Sequence, residues 1–155
     1  MQTNVIRVRE LTVRYTVKTI PISEPAIFGS QLRSPGDAAA LLIPLLQEEP
    51  SEVLVMLCLD LKHRVIAFHE VSRGTLDSTC AHPRDVFRAA LLTNAAGVIL
   101  AHNHPSGDPS PSGPDLHLTR RMYEAGEVLG VRLHDHIIVG DDRSFSFKEA
   151  DLLRT

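Results

Sequence analysis

From Gly97 to Asp115 the chain reads Gly97-Val-Ile-Leu-Ala-His102-Asn-His104-Pro-Ser-Gly-Asp-Pro-Ser-Pro-Ser112-Gly-Pro-Asp115, and few folds accommodate all of it. The first five residues are apolar and β-branched behind a glycine, the pattern of a buried strand. Side chains alternate across a strand, so His102 and His104, two apart, offer their imidazoles to one side. Pro105, Pro109 and Pro111 stiffen the loop that follows, because each fixes its own φ. Ser112-Gly113-Pro114-Asp115 then has the form of a helix start, with Ser112 as N-cap and Asp115 on the first turn.

A rigid loop that folds this turn back over the strand end would bring the Asp115 carboxylate to the two imidazoles. Three protein ligands with a fourth position left to water is how catalytic zinc sites are built, and zinc lowers the pKa of such a water to about 7. A capped helix after a strand would by itself account for Ser112 and Asp115. It accounts for neither the paired histidines nor the spacing between the two halves.

The spacing His-x-His, seven residues, Ser, two residues, Asp resembles the signature of the JAB/MPN (JAMM) metalloprotease superfamily, and His102, His104, Ser112 and Asp115 match it without a gap. The words Ala101-His-Asn-His-Pro-Ser-Gly-Asp-Pro and Asp135-His-Ile-Ile-Val-Gly140 are similar to its RadC-like branch. The resemblance implies an α/β fold, a JAB/MPN (cytidine deaminase-like) mixed β-sheet flanked by helices. It implies zinc held by His102, His104 and Asp115, with Ser112 hydrogen-bonding the tetrahedral intermediate. Glu52, just ahead of the apolar strand ending Leu59-Asp60, takes the place of the superfamily's general base. The implied reaction is amide or isopeptide hydrolysis, with a protein or peptide as substrate.

Two other readings stay open: a metal-dependent nuclease or DNA-repair-associated protein, since RadC-like proteins carry a DNA-repair label, and a non-catalytic interaction module. A formal charge of −3 and the absence of any run of five Lys and Arg weigh against DNA. The contiguous His102-Asn103-His104 is not an HNH nuclease motif, whose residues are spread along a hairpin. A close histidine pair also suits zinc better than a non-haem iron triad. The second His-x-His, His134-Asp-His136, is a rival chelate for which packing or hydrogen bonding behind the site is the expected role. His63, His69, His82 and His117 read as surface or capping residues.

The remaining chain frames this stretch. Residues 1–33 are expected to hold an N-terminal strand, with Leu11, Val13, Tyr15 and Val17 alternating, and an irregular connection outside the resemblance; 34–155 form the RadC-like domain. That extra strand could cover a sheet edge or pair across a two-fold axis in a homo-oligomer. Ser34-Pro35-Gly36-Asp37 opens a helix to Leu46 that Pro44 should kink or end early. Val53 to Leu59 is a central strand, with Val65 to Val71 the next after a turn. A helix from Pro83 to about Asn94 should bury Val86, Phe87, Ala90 and Leu91. A helix from Asp115 should present Leu118, Met122, Ala125 and Leu129 on one face and end at Gly130. Val131 to Val139 is a strand, Ser144 to Phe147 an edge, and Lys148 to Leu153 a short terminal helix.

At 155 residues, 43% hydrophobic and 23% charged, the expectation is one ordinary globular domain with no room for a helix-hairpin-helix domain. Neither a membrane span nor a signal peptide is expected, so the cytoplasm is the default. Cys58 and Cys80, without CxxC spacing, read as reduced thiols.

Overall fold

The computed structural model describes residues 14, 16, 29, 31–74 and 81–154. The expected strand of residues 5 to 17, nearly all of the connection after it, and Cys80 lie outside the described residues. Three helices and five strands follow in the order α1 (Pro35–Leu46), β1 (Val53–Leu59), β2 (Val65–Arg73), α2 (Pro83–Leu92), β3 (Gly97–Asn103), α3 (Gly113–Leu129), β4 (Arg132–Val139) and β5 (Ser144–Ser146). The strands form one sheet in the order β2-β1-β3-β4-β5. Only β3 and β4 run parallel, joined through α3; the other neighbours are antiparallel. It is the mixed sheet flanked by helices expected of a JAB/MPN fold.

β1 and β3 are buried along their whole length because both sheet faces are covered. On one face, Val53, Val55, Leu57, Ile99, Ala101, Ile137 and Val139 pack with Leu41, Leu42 and Leu46 of α1. The other face sets Leu54, Met56, Val98 and Leu100 against Val86, Phe87 and Ala90 of α2 and Leu118 and Met122 of α3. Alternation therefore places even-numbered residues of β1 and β3 on the α2/α3 side.

Several local expectations are corrected. α1 runs straight through Pro44 to Leu46. The carbonyl that Pro44 cannot reach is that of Ala40, which is exposed and can be hydrated, and the last turn closes through Gln47 N–H to the Ile43 carbonyl at 2.9 Å. Leu91 is 50% exposed, because the buried stripe of α2 is Val86, Phe87 and Ala90 and the next residue lies a hundred degrees around. Leu129 is exposed too: α3 buries Asp115, Leu118, Thr119, Met122 and Gly126, a stripe that turns polar where it nears the end of β3. Lys148 to Leu153 forms consecutive turns instead of a helix. Six residues barely nucleate a helix, and Asp151 at φ 57° breaks the path. No helix among the described residues is long and apolar enough to cross a membrane.

Candidate metal centre

His102 and His104 stand at the end of β3, and the loop after them is drawn tightly against the β4–β5 turn. Gly107 at φ 81° makes this possible: a Cβ there would clash with the Asp141 carboxylate, and one on Gly140 would clash with the Gly107 carbonyl. The loop then delivers the N-terminus of α3. Ser112 caps it, its Oγ accepting from Asp115 N–H at 3.2 Å while Asp115 Oδ2 accepts from Ser112 N–H at 2.7 Å. The Ser112 hydroxyl also donates to Asp115 Oδ2 at 2.6 Å. The capping box thus fixes the carboxylate that the spacing singled out.

This brings three groups to one point. The His102 and His104 Nε2 atoms are 3.1 Å apart, His102 Nε2 lies 3.1 Å from Asp115 Oδ1, and His104 Nε2 lies 3.3 Å from Asp115 Oδ2. His102 is wholly buried and Asp115 nearly so, with His104 on the solvent side. Among the described residues these three alone form a group of His, Cys, Asp or Glu able to share a metal ion.

The protons behind the ring nitrogens follow from the chain of partners. Thr119 Oγ1 donates to the Asp115 carbonyl at 2.7 Å, so its oxygen must accept from His136 Nδ1–H, 2.6 Å away. Burial, then the neighbouring imidazoles, hold the His136 pKa well below the usual value, so the ring is neutral and its Nε2 is an acceptor. That acceptor lies 2.9 Å from His102 Nδ1, which therefore carries the proton. His104 Nδ1 likewise donates to the Asp108 carbonyl at 2.8 Å. Both imidazoles are left with Nε2 lone pairs aimed at each other and at a carboxylate. Such a cluster requires a cation at its centre, a proton or a metal.

The dimensions suit a metal. Ligands about 2.0–2.1 Å from a tetrahedral zinc ion stand about 3.4 Å apart, close to the spacings here. The proton alternative is visible in the electrostatics. Burial pushes the Asp115 pKa up, but His102, His104 and Ser112 overcome it and hold the carboxyl well below the usual range. The His104 pKa is raised, first by its hydrogen bond with Asp115 against the cost of burial, then by the Asp108 carbonyl and the charges of Asp115 and Glu52.

Glu52 is half-buried and precedes β1 by one residue. The β1–β3 register pairs Leu54 with His102, so continued by two residues it sets Glu52 opposite His104. The parity of β1 puts it on the α2/α3 side, the face of both imidazoles. Ser112 adjoins Asp115 from the exposed side. His102, His104, Ser112 and Asp115 thus stand together at one end of the sheet, and the charge of Glu52 reaches His104.

The second His-x-His divides. His136 backs His102, as described, and stacks on Phe147 with ring centroids 4.9 Å apart. His134 turns away, edge-on to His63, with its pKa brought down to about 4 by burial and by the nearby charges of His63, Arg132 and Lys148. Sequence reasoning missed Thr119 and Asn103. Thr119 could have been found as the polar residue on the Asp115–Leu118–Met122 stripe; Asn103, between the two histidines, gave no separate signal.

Comparison with known proteins agrees with this geometry. The family model for the RadC-like JAB domain matches residues 32–152. A UPF0758 protein of Clostridium perfringens is 44% identical over 123 residues, 79% of this chain and 54% of the relative. Relatives of the same name in Methanosarcina barkeri and Moorella thermoacetica are 44% and 46% identical over 78% and 79% of the chain. The chain spans about half the length of these curated relatives, 53–54%. With a match running from the residue before α1's lead-in to the last turns, and with its His-His-Asp cluster at the end of β3, the chain belongs to the RadC-like JAB domain family.

Proposed function

We propose that this domain is a zinc-dependent hydrolase of the JAMM type that cleaves amide or isopeptide bonds in a protein or peptide. One observation carries the reading: two imidazoles whose far nitrogens are both hydrogen-bonded present bare Nε2 atoms to a common carboxylate, 3.1–3.3 Å from one another. His102, His104 and Asp115 would hold the ion. Zinc in such a site supplies Lewis acidity, lowering the pKa of a water it binds to about 7 and polarising a carbonyl.

The chain's own groups do the rest. Glu52, opposite His104, takes the proton of the attacking water and gives it to the leaving amine. The Ser112 hydroxyl, at the mouth of the cluster, turns from Asp115 to donate to the oxyanion. Asp115, held by the capping box, and His102, held through His136, stay in place throughout.

The test is zinc binding followed by hydrolysis. Purified protein stripped and reloaded with zinc is offered isopeptide-linked and linear peptides and single-stranded DNA, with Asp115→Ala as control. Glu52→Gln should still load with zinc at saturating metal, about tenfold more weakly, and lose about 10² to 10⁴ in rate. Ser112→Ala should lose about 10² to 10³ in kcat against about 1 kcal/mol of stability; unchanged kcat with a lowered Tm would leave Ser112 as a cap alone. Failure to bind zinc sinks the proposal, and zinc-dependent cutting of DNA with peptides untouched would replace it with a nuclease.

A further inference from the structure

Asn103 stands between the two histidine ligands, and alternation sends its side chain to the opposite face of the sheet, where α1 ends. It is 2% exposed and its carboxamide makes three hydrogen bonds, all to one short segment. Its Oδ1 accepts from Val53 N–H at 2.8 Å, and its Nδ2 donates to the carbonyls of Ser51 at 3.0 Å and Glu49 at 3.2 Å. These partners lie fifty or more positions away in sequence and bracket Glu52 on both sides. Backbone pairing between β1 and β3 runs no further than Leu54 with His102. Beyond that pair the Asn103 amide takes the place of the ladder.

We infer that Asn103 is the positioning residue for Glu52: it clamps residues 49–53 to the metal-bearing strand so that the Glu52 carboxylate is held opposite His104. This rests on the reading of the site as a metal centre served by Glu52. The chemistry of the clamp is specific. One acceptor and two donors are needed on a planar group one carbon from the backbone, and asparagine alone supplies them. Aspartate would set a carboxylate oxygen against two carbonyls, and alanine would leave the buried Val53 N–H and two part-buried carbonyls without this partner. Gly74 N–H, bonded to the Glu52 carbonyl at 2.9 Å, holds the same segment from the β2 side but leaves its distance from β3 free.

Two measurements on the full chain test it, using zinc alone as probe. Hydrogen exchange of the metal-free protein should find Val53 N–H protected in the wild type and fast in Asn103→Ala, with the amides of β3 still slow. A double-mutant cycle on zinc affinity then reads the coupling. A carboxylate near a divalent ion but outside its ligand set strengthens binding through its charge, so Glu52→Gln should weaken zinc about tenfold. Asn103→Ala should weaken it comparably, and the double variant no further than the worse single one. Should Asn103→Ala fail to fold, Asn103→Gln, which keeps the amide and moves it by one methylene, replaces it in the cycle.

Additive losses, or an Asn103 variant with wild-type affinity while Glu52→Gln is weakened, overturn the clamp and leave the metal site standing. Rapid exchange of Val53 in the wild type also overturns it. A wild type that binds no zinc, or Glu52→Gln with unchanged affinity, removes the reading beneath it, and the inference falls with that reading.

Discussion

Two His-x-His pairs lie on neighbouring parallel strands of this sheet, and they do opposite things. His102 and His104 on β3 point to the same side and converge on Asp115. His134 and His136 on β4 part company, one backing the site and the other packing on His63. The cause is a single irregularity. Val98 pairs with Leu133 but Ile99 pairs with Asp135, so β4 holds one extra residue, His134, opposite a regular β3. The bulge resets the alternation. Leu133 packs on the α2/α3 face and His136, three on, reaches Thr119 of α3, while Asp135, paired with Ile99, precedes Ile137 and Val139 of the α1 face. Two identical spacings thus give a convergent pair where the strand is regular and a split pair where it is bulged.

The largest contrast between the pairs is in metal retention. Asp115→Ala should abolish stoichiometric zinc, whereas His134→Ala should leave it at about one per chain by elemental analysis. Zinc lost from His134→Ala would erase the distinction. A smaller effect should come from the support behind the first pair. Thr119→Val removes the acceptor that keeps the His136 proton on Nδ1, freeing His136 and then His102 to exchange tautomers. Zinc affinity should fall about 10- to 100-fold, the usual loss when a partner behind a metal ligand is removed. An unchanged dissociation constant would mean that His102 needs no such orientation.

The smallest effect is on pH dependence, and its sign follows from His104. Its folded pKa is raised, so in the metal-free protein its contribution to stability is fully present below the unfolded value of about 6.5 and is lost as pH rises through the folded value. Asp115, whose pKa is lowered, contributes a constant amount across that window because it is ionised in both states. The lowered pKa values of His69, His134 and His136 act in the opposite sense, so the His104 share is read as the metal-free Tm relative to His104→Gln, a difference that should decline as pH rises there. Zinc requires the neutral imidazole, so the Tm increment on adding zinc should grow over the same interval. Parallel thermal melts with and without zinc check this, and an increment that shrinks as pH rises would assign the raised pKa to some other cation at the cluster.

What could be read from the residues alone was whatever is carried by local spacing. A glycine-bounded apolar run ending in two alternating histidines, a proline-stiffened loop and a Ser-x-x-Asp helix start each encode their own geometry, so β3, the N-terminus of α3 and the grouping of His102, His104 and Asp115 were legible. The role proposed for Glu52 came only through the family resemblance, since a glutamate beside a proline otherwise looks like solvated surface. The exposure of Leu91 and Leu129 was not, because apolar periodicity marks a helix's preferred face without saying how far its neighbours reach around it.

Tertiary structure decided the rest. The bulge in β4 arises from fitting one strand to its parallel neighbour, and no window of β4 by itself states where the extra residue goes. Asn103 and Thr119 gained their roles from partners 50 and 17 positions away. A polar side chain's task is set by which buried donors and acceptors the fold leaves it to satisfy, and only the packed sheet reveals those.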